Sequence, residues 1–319
     1  MKENILFFSP TFYQYGNRIS RGMTRLGNDV RHFEYCSTWY YKACSLFGMN
    51  TLCNLIKKYF FKKLIKIIKR EGRSYNRVIV IRGSEMPDSF YAFLKHEFPK
   101  AKFVLYLWDD LQFDKGEFRV FSYFDKVYSY SLPDCNSFPE YRMRFRPMFF
   151  DDSIDWETTI KHNDLLFIAS YKPSRFTFLK TILSNYPNLK TVAILRCSFF
   201  TFIKDISHLR FISSFRFFSI PYIKMIGLLQ KSRACIELPH PGQSAITTRP
   251  VEALRARTKL ITTLEAIKSY DFYNPNNILV INQDNPVIDI GWLNTPFEDI
   301  SSDIISRYSL TSFISDLLV

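Results

Sequence analysis

The chain has 319 residues, enough for two domains of ordinary size. It is 47% hydrophobic and 23% charged, a globular composition that argues against disorder. Its net charge of +13 calls for an anionic partner. The sequence carries no zinc-finger spacing, aromatic ribonucleoprotein motif or basic heptad that would make that partner nucleic acid, which leaves an anionic membrane surface or an acidic small molecule such as a sugar nucleotide.

The short apolar run Ile5 to Phe8 reads as a first strand and is too short for a secretory leader. The loop Pro10 to Asn17 follows, then a helix from Gly16 to Leu26 and an extended segment from Val30 to Tyr35. Thr51 to Glu71 is a helix with Leu52, Leu55, Ile56, Tyr59, Phe60, Leu64, Ile67 and Ile68 at helical spacing. Lysines 57, 58, 62, 63, 66 and 69 and Arg70 cover the rest. Such a helix packs its apolar stripe in the core, and its basic face suits anionic lipid. The 51–73 segment is therefore the expected peripheral contact with a membrane. Arg77 to Arg82 is a buried strand, Asp88 to Glu97 a helix with Asp88 as N-cap, Phe103 to Trp108 a buried strand and Lys126 to Tyr130 another.

Between Arg144 and Asp164 the periodicity breaks. This is the expected interdomain linker, with Asp151, Asp152 and Asp155 solvated, dividing the chain into domains 1–150 and 151–319. A second series follows: strand Leu165 to Ala169, helix Arg175 to Asn185, strand Lys190 to Leu195, helix Pro221 to Gln230, strand Ala234 to Leu238, helix Arg249 to Ala256, strand Lys259 to Thr262. Alternation of this kind builds a parallel, doubly wound α/β sheet in each half. Six scattered cysteines (36, 44, 53, 135, 197, 235) with no C-x-x-C pair read as apolar thiols. No run approaches the ~20 apolar residues of a membrane span, so the cytoplasm is the expected compartment.

Chemistry concentrates in ACIELPHPGQSAITTRPVEALRARTKLITT, Ala234 to Thr263. A strand leads into a polar loop holding Gly242, Gln243, Ser244, Thr247 and Thr248, then into a helix opening at Arg249-Pro250 and carrying Glu252. Unpaired N–H groups and the positive dipole at a helix start suit a diphosphate. Hydroxyls and Arg249 add donors, and Glu252 suits the cis-diol of a ribose. An ordinary βαβ unit whose polar residues cap its helix is the equally weighted alternative. Neither Gly-x-Gly-x-x-Gly nor a P-loop is present. Asp109-Asp110 follows the strand FVLYLW, where a carboxylate serves either as general base on an acceptor hydroxyl or as a turn and cap pair. Arg82, Glu85 and Asn17 are weaker candidates for touching acceptor.

The segment resembles the donor-binding region of bacterial glycosyltransferases that build lipopolysaccharide and capsule. Matching positions are His240-Pro241, Gln243, Thr247, Arg249, Glu252, Leu254, Lys259 to Thr263 and YDFYNPNNI at Tyr270 to Ile278. LYLWDD, FDKVYSY, Arg146-Pro147 and the final YSLTSFISDLL extend the likeness over most of the chain. Ala245-Ile246 and Thr248 stand where that group tends to have Gly-Leu and Met, and Leu264 replaces an Asn. The resemblance implies a GT-B fold, two Rossmann-like domains facing across a cleft, acceptor domain first and nucleotide-sugar domain second. It also implies metal-independent transfer from a sugar nucleotide to a lipid-linked or growing polysaccharide, with Glu252 on the ribose and no cofactor beyond the donor. A non-catalytic nucleotide- or sugar-binding protein with the same fold is the alternative.

Overall fold

The computed structural model describes residues 2–11, 14–35, 50–157, 159–203 and 206–319. Cys36, Cys44 and residues 12–13 of the Pro10–Asn17 loop lie outside them. The chain divides into two compact units, 1–147 with 310–319, and 148–309.

In the first unit, chain order runs β1 (Asn4–Pro10), α1 (Tyr15–Arg25), β2 (Asp29–Tyr35), α2 (Asn50–Glu71), β3 (Arg77–Ile81), α3 (Asp88–Glu97), β4 (Lys102–Leu107), β5 (Lys126–Ser129), α4 (Leu132–Ser137) and β6 (Arg144–Phe145). The six strands form one parallel sheet in the order β2-β1-β3-β4-β5-β6. β3 is buried at every position, as an all-apolar run covered on both faces requires. α1 begins hard against β1, because a Cβ on Gly16 would come within 2.0 Å of Ser9 Oγ. Asp88 is the first helical residue of α3 rather than its N-cap, which is Pro87. Its carboxylate instead pairs with Arg119.

α2 turns Cys53, Phe61, Leu64 and Ile68 inward, while Leu52, Leu55 and Tyr59 are exposed. The apolar stripe is thus rotated from the one its sequence suggested. Phe61, a neighbour of that stripe, meets Phe90 and Tyr35, and this aromatic packing sets the helix's inward face.

The second unit contains β7 (Asn163–Ser170), α5 (Pro173–Asn185), β8 (Thr191–Arg196), α6 (Phe199–Ile203), β9 (Phe215–Arg216), α7 (Tyr222–Gln230), β10 (Ser232–Glu237), α8 (Thr248–Arg255), β11 (Lys259–Thr262), β12 (Ile278–Val280), α9 (Ile290–Asn294) and α10 (Ser302–Arg307). Its sheet is also parallel, ordered β12-β11-β10-β7-β8-β9. Alternate residues of the central strands feed opposite faces. Leu166 and Cys235 join one core, Leu165, Phe167, Ala234 and Ile236 the other. Strand order reverses between β7 and β10, which makes the carboxyl ends of those two strands the switch point where doubly wound sheets bind ligands.

The 144–164 segment is more ordered than a linker. Arg144–Phe145 adds a strand to the first sheet, Trp156 is buried, and Asp151 is buried too, accepting hydrogen bonds from Ser153 N and Oγ. The expected second domain of 151–319 also ends early. The closing helix α11 (Leu310–Leu318) belongs to the first unit, where Leu310, Phe313, Ile314 and Leu317 are fully buried and Gly22 of α1 lets Ile314 approach.

Candidate functional site

At the switch point, β10 ends at Glu237 and the chain turns through 238–247 into α8. Gly242 has φ of 80°, a conformation that glycine adopts without steric cost. Gln243 stitches the turn together: its Oε1 accepts from His240 N at 3.1 Å and its Nε2 donates to Ala245 O at 2.6 Å. Ala245 and Ile246 are completely buried, Ile246 in the same core as Leu264, so the positions that depart from the resembled motif are filled by packing.

Thr247 caps α8, its Oγ1 accepting from Arg249 N at 3.3 Å while donating to Glu237 Oε1. A cap of this type stabilises a helix by about 1 kcal/mol. Ser244, Thr248 and Arg249 remain partly accessible. Glu252 does not. Its side chain has 0% exposure, Oε1 accepts from the Tyr222 hydroxyl at 2.6 Å, and Oε2 lies 3.6 Å from Arg249 Nη1. Glu252, expected to hold a ribose, is enclosed where α7 meets α8.

Sequence reading overlooked the other half of the switch point. α5 begins directly after β7 with Lys172 as N-cap residue, Arg175 in its first turn and no acid there. Cations at the positive end of a helix are disfavoured by its dipole. Lys172 Nζ lies against His240 Nε2, and burial with Arg175 close by lowers its pKa. Arg175 Nη2 donates to Leu238 O at 2.7 Å, linking the two turns. Glu237, which burial pushes upward in pKa, sits among Thr247, Arg249 and Arg175, and its Oε2 has no hydrogen-bond partner among the described residues. The signal that would have found Lys172 and Arg175 was there to read: a basic pair immediately after a strand, where helix starts prefer acids.

In the first unit, the expected residues all lie beyond the carboxyl ends of parallel strands, but they form separate groups. Arg82 follows β3 with φ of 60°. Its guanidinium lies 3.5 Å from Asp109 and 3.4 Å from Asp114. Glu117 accepts from Gly83 N and Ser84 N at 3.0 and 3.1 Å, while Ser84 Oγ donates to Asp114 at 2.5 Å. Burial, opposed by those N–H bonds, pushes the Glu117 carboxyl up to about 7. Asp109 is 46% exposed. Asp110 is 1% exposed and is hydrogen-bonded to Tyr130, whose phenol burial and Asp110 together push up. Of the two aspartates proposed from sequence, only Asp109 is placed to meet a solute. Asn17 donates to Glu34 at 3.0 Å, and Glu85 pairs with Lys57 at 2.7 Å.

No family model and no curated protein sequence matches the chain. Solved structures match over nearly its whole length. AviGT4, a glycosyltransferase involved in avilamycin A biosynthesis, superposes with a TM-score of 0.57 at 9% identity, covering 99% of this chain and 96% of that one. MnaA of S. aureus, solved with UDP, gives 0.54 at 10% identity over 89% and 84%. Os79 of O. sativa, in complex with UDP, gives 0.53 at 9% over 98% and 94%. The chain has the GT-B fold. In that fold the β7–β12 sheet is the second Rossmann-like unit, and the Lys172 and Gly242 turns occupy its switch point. Identities near one in ten carry the likeness to the fold and no further.

Proposed function

We propose that this chain is a glycosyltransferase that takes a nucleoside-diphosphate sugar as donor. The observation that carries the reading is the convergence, at the β7/β10 switch point, of two helix N-termini with Lys172, Arg175 and Arg249. Helix N-termini with cations beside them favour an anion. In this reading the diphosphate lies against the first turns of α5 and α8, with Ser244, Thr248 and Arg249 as donors and Gln243 and Thr247 holding the turn in shape. Charge develops on the diphosphate as the glycosidic bond breaks. Preformed dipoles and guanidinium groups that meet it strengthen in the transition state and supply much of the rate. No metal and no further cofactor enter the scheme.

On the first unit, Asp109 is assigned to the acceptor hydroxyl, held in place by Arg82. Asn17 and Glu85 line the same carboxyl edge of that sheet and complete the acceptor assignment. The acceptor we favour is a lipid-linked or growing surface polysaccharide of the lipopolysaccharide or capsule kind, met on the cytoplasmic face of the inner membrane. In support, no helix among the described residues is long and apolar enough to cross a membrane, and α2 presents an exposed row of lysines. UDP in the MnaA and Os79 structures makes uridine diphosphate the first nucleotide to try. The buried Asp110 favours the alternative of a binding protein that keeps the fold without turnover.

A thermal-unfolding screen against nucleoside diphosphates and their sugars tests the reading. A ligand at 100 times its Kd adds about 2.7 kcal/mol. Stabilisation by one nucleotide series, together with release of nucleoside diphosphate from its sugar, supports a transferase. Stabilisation without release at any acceptor supports the binding protein, and no shift with any nucleotide rejects both.

A further inference from the structure

The second unit carries an apolar ridge at the outer end of its sheet. It is built from the residues that follow β8, the short edge strand β9 and the turns around it. Phe202 and Phe215 are buried beneath and anchor the ridge, their rings 5.0 Å apart. Above them Phe199 stacks edge-on to Phe217 at 5.7 Å and lies 6.4 Å from Phe200. Phe200 is 74% exposed and Phe218 is 86% exposed, with Ile203, Leu209 and Ile212 also facing solvent. Phenyl groups standing this far out of a surface are uncommon in a monomeric soluble chain and mark a place of contact.

The described charged residues of this segment are basic. Arg196, Arg210, Arg216 and Lys224 are exposed, and Arg196 and Arg216 are register partners on β8 and β9, where like charges facing one another are destabilising. Between residues 196 and 224 the sequence has one acid, Asp205, which lies outside the described residues. We infer that this ridge docks the protein on an anionic lipid bilayer, its phenylalanines entering the boundary between headgroups and acyl chains and its arginines pairing with lipid phosphates. A second copy of the chain is a poor occupant, since it would bring the same cations against these. Phenyl rings without a polar tip, projecting and flanked by cations, match the interfacial region of a bilayer. The ridge lies on the carboxyl edge of the sheet, and β8 adjoins β7, so docking there holds the Lys172 turn beside the membrane surface. The inference does not depend on glycosyl transfer, because lipid binding is read without any nucleotide.

The test is co-flotation of the full chain with vesicles of phosphatidylethanolamine and phosphatidylglycerol, against vesicles of phosphatidylcholine. Binding is expected to the anionic vesicles and to weaken as salt is raised. Phe200→Ser with Phe218→Ser should lower partition about tenfold or more, and Arg210→Gln or Lys224→Gln about fivefold each. Phe218→Trp should show a blue-shifted emission on the anionic vesicles alone. Circular dichroism and thermal unfolding of the variants, all at exposed positions, should match the parent. The inference is overturned if the parent ignores anionic vesicles, or if the double serine variant binds as well as the parent. It is equally overturned if Lys62→Gln, Lys63→Gln and Lys66→Gln on α2 abolish binding while the ridge variants do not, or if the serine changes abolish a concentration-dependent self-association seen without lipid.

Discussion

Tyr222 donates its hydroxyl to Glu252 at 2.6 Å, tying α7 to the first turns of α8. Glu252 is completely enclosed and has Arg249 beside its other oxygen. A buried carboxylate that loses a donor costs roughly 1–3 kcal/mol, more where the group is charged. Tyr222→Phe should therefore lower stability by about that amount and weaken nucleoside diphosphate binding, because Arg249 loses its fixed orientation. Denaturant unfolding and nucleotide titration of the same variant check this. Unchanged values in both would show that the pair positions nothing.

Lys172→Gln should separate stability from binding. Removing a cation from the positive end of α5 relieves an unfavourable interaction worth about 0.3–1 kcal/mol, so the variant should unfold at the same or a higher temperature. Its affinity for nucleoside diphosphates should fall about tenfold, the loss of one charge-assisted hydrogen bond, whereas affinity for the bare nucleoside should stay the same. Calorimetric titration with both ligands decides it. An equal loss for nucleoside and diphosphate would place the lysine elsewhere than on the phosphates.

Two groups of the first unit give stability opposite slopes with pH. Burial holds the His32 imidazole down at about 4, where its Nε2 meets Ser9 Oγ at 2.8 Å. With a folded value below the ordinary 6.5, the stability it contributes is present above pH 6.5 and is lost as pH falls toward 4. Glu117 is raised from 4.5 to about 7, so its contribution is present below pH 4.5 and is lost as pH rises through 7. Between those limits the two offset one another. Glu117→Gln should leave stability rising with pH across this window, and His32→Asn should leave it falling. Unfolding midpoints in urea at several pH values test both signs, and identical profiles for the two variants would contradict the assignment.

Much of the architecture could be read from the chain because its central strands are continuous apolar runs. RVIVI and the Ala234–Leu238 strand are buried where their hydrophobicity says, and the alternation with helices implies the parallel sheets that are found. Phe215–Arg216 and Arg144–Phe145 were missed since two-residue edge strands have no periodicity to detect. The surroundings of Asp109-Asp110 and Glu252 were not legible for a different reason. A carboxylate after a strand or one turn into a helix is found equally at a ligand and inside a hydrogen-bonded network, and only the tertiary partners Tyr130 and Tyr222 decide which. YDFYNPNNI shows the same ambiguity. Its Asp271 accepts from Tyr308 and Arg307, and Asn274 and Asn276 donate to Glu298, so the motif holds the second unit together.

The return of α11 to the first unit makes a strong prediction about truncation. Leu310, Phe313, Ile314 and Leu317 are each fully buried there. Beyond them, Arg146 pairs with Asp316 at 2.7 Å, Arg77 donates to Leu317 O at 3.1 Å and the Tyr128 hydroxyl to Asp316 O at 2.7 Å. Burial of one such side chain is worth about 1.5–3 kcal/mol, and four together rival the 5–15 kcal/mol that typically holds a domain folded. Arg77 and Arg146, themselves buried, would each lose a partner. A chain stopped after Ser309 should therefore lose the cooperative unfolding of the first unit while the second, 148–309, still melts as a unit and still responds to nucleoside diphosphate. Scanning calorimetry of that truncated chain, with and without nucleotide, would show one surviving transition. Survival of both transitions at their original temperatures would mean that the helix contributes nothing to the first sheet's fold.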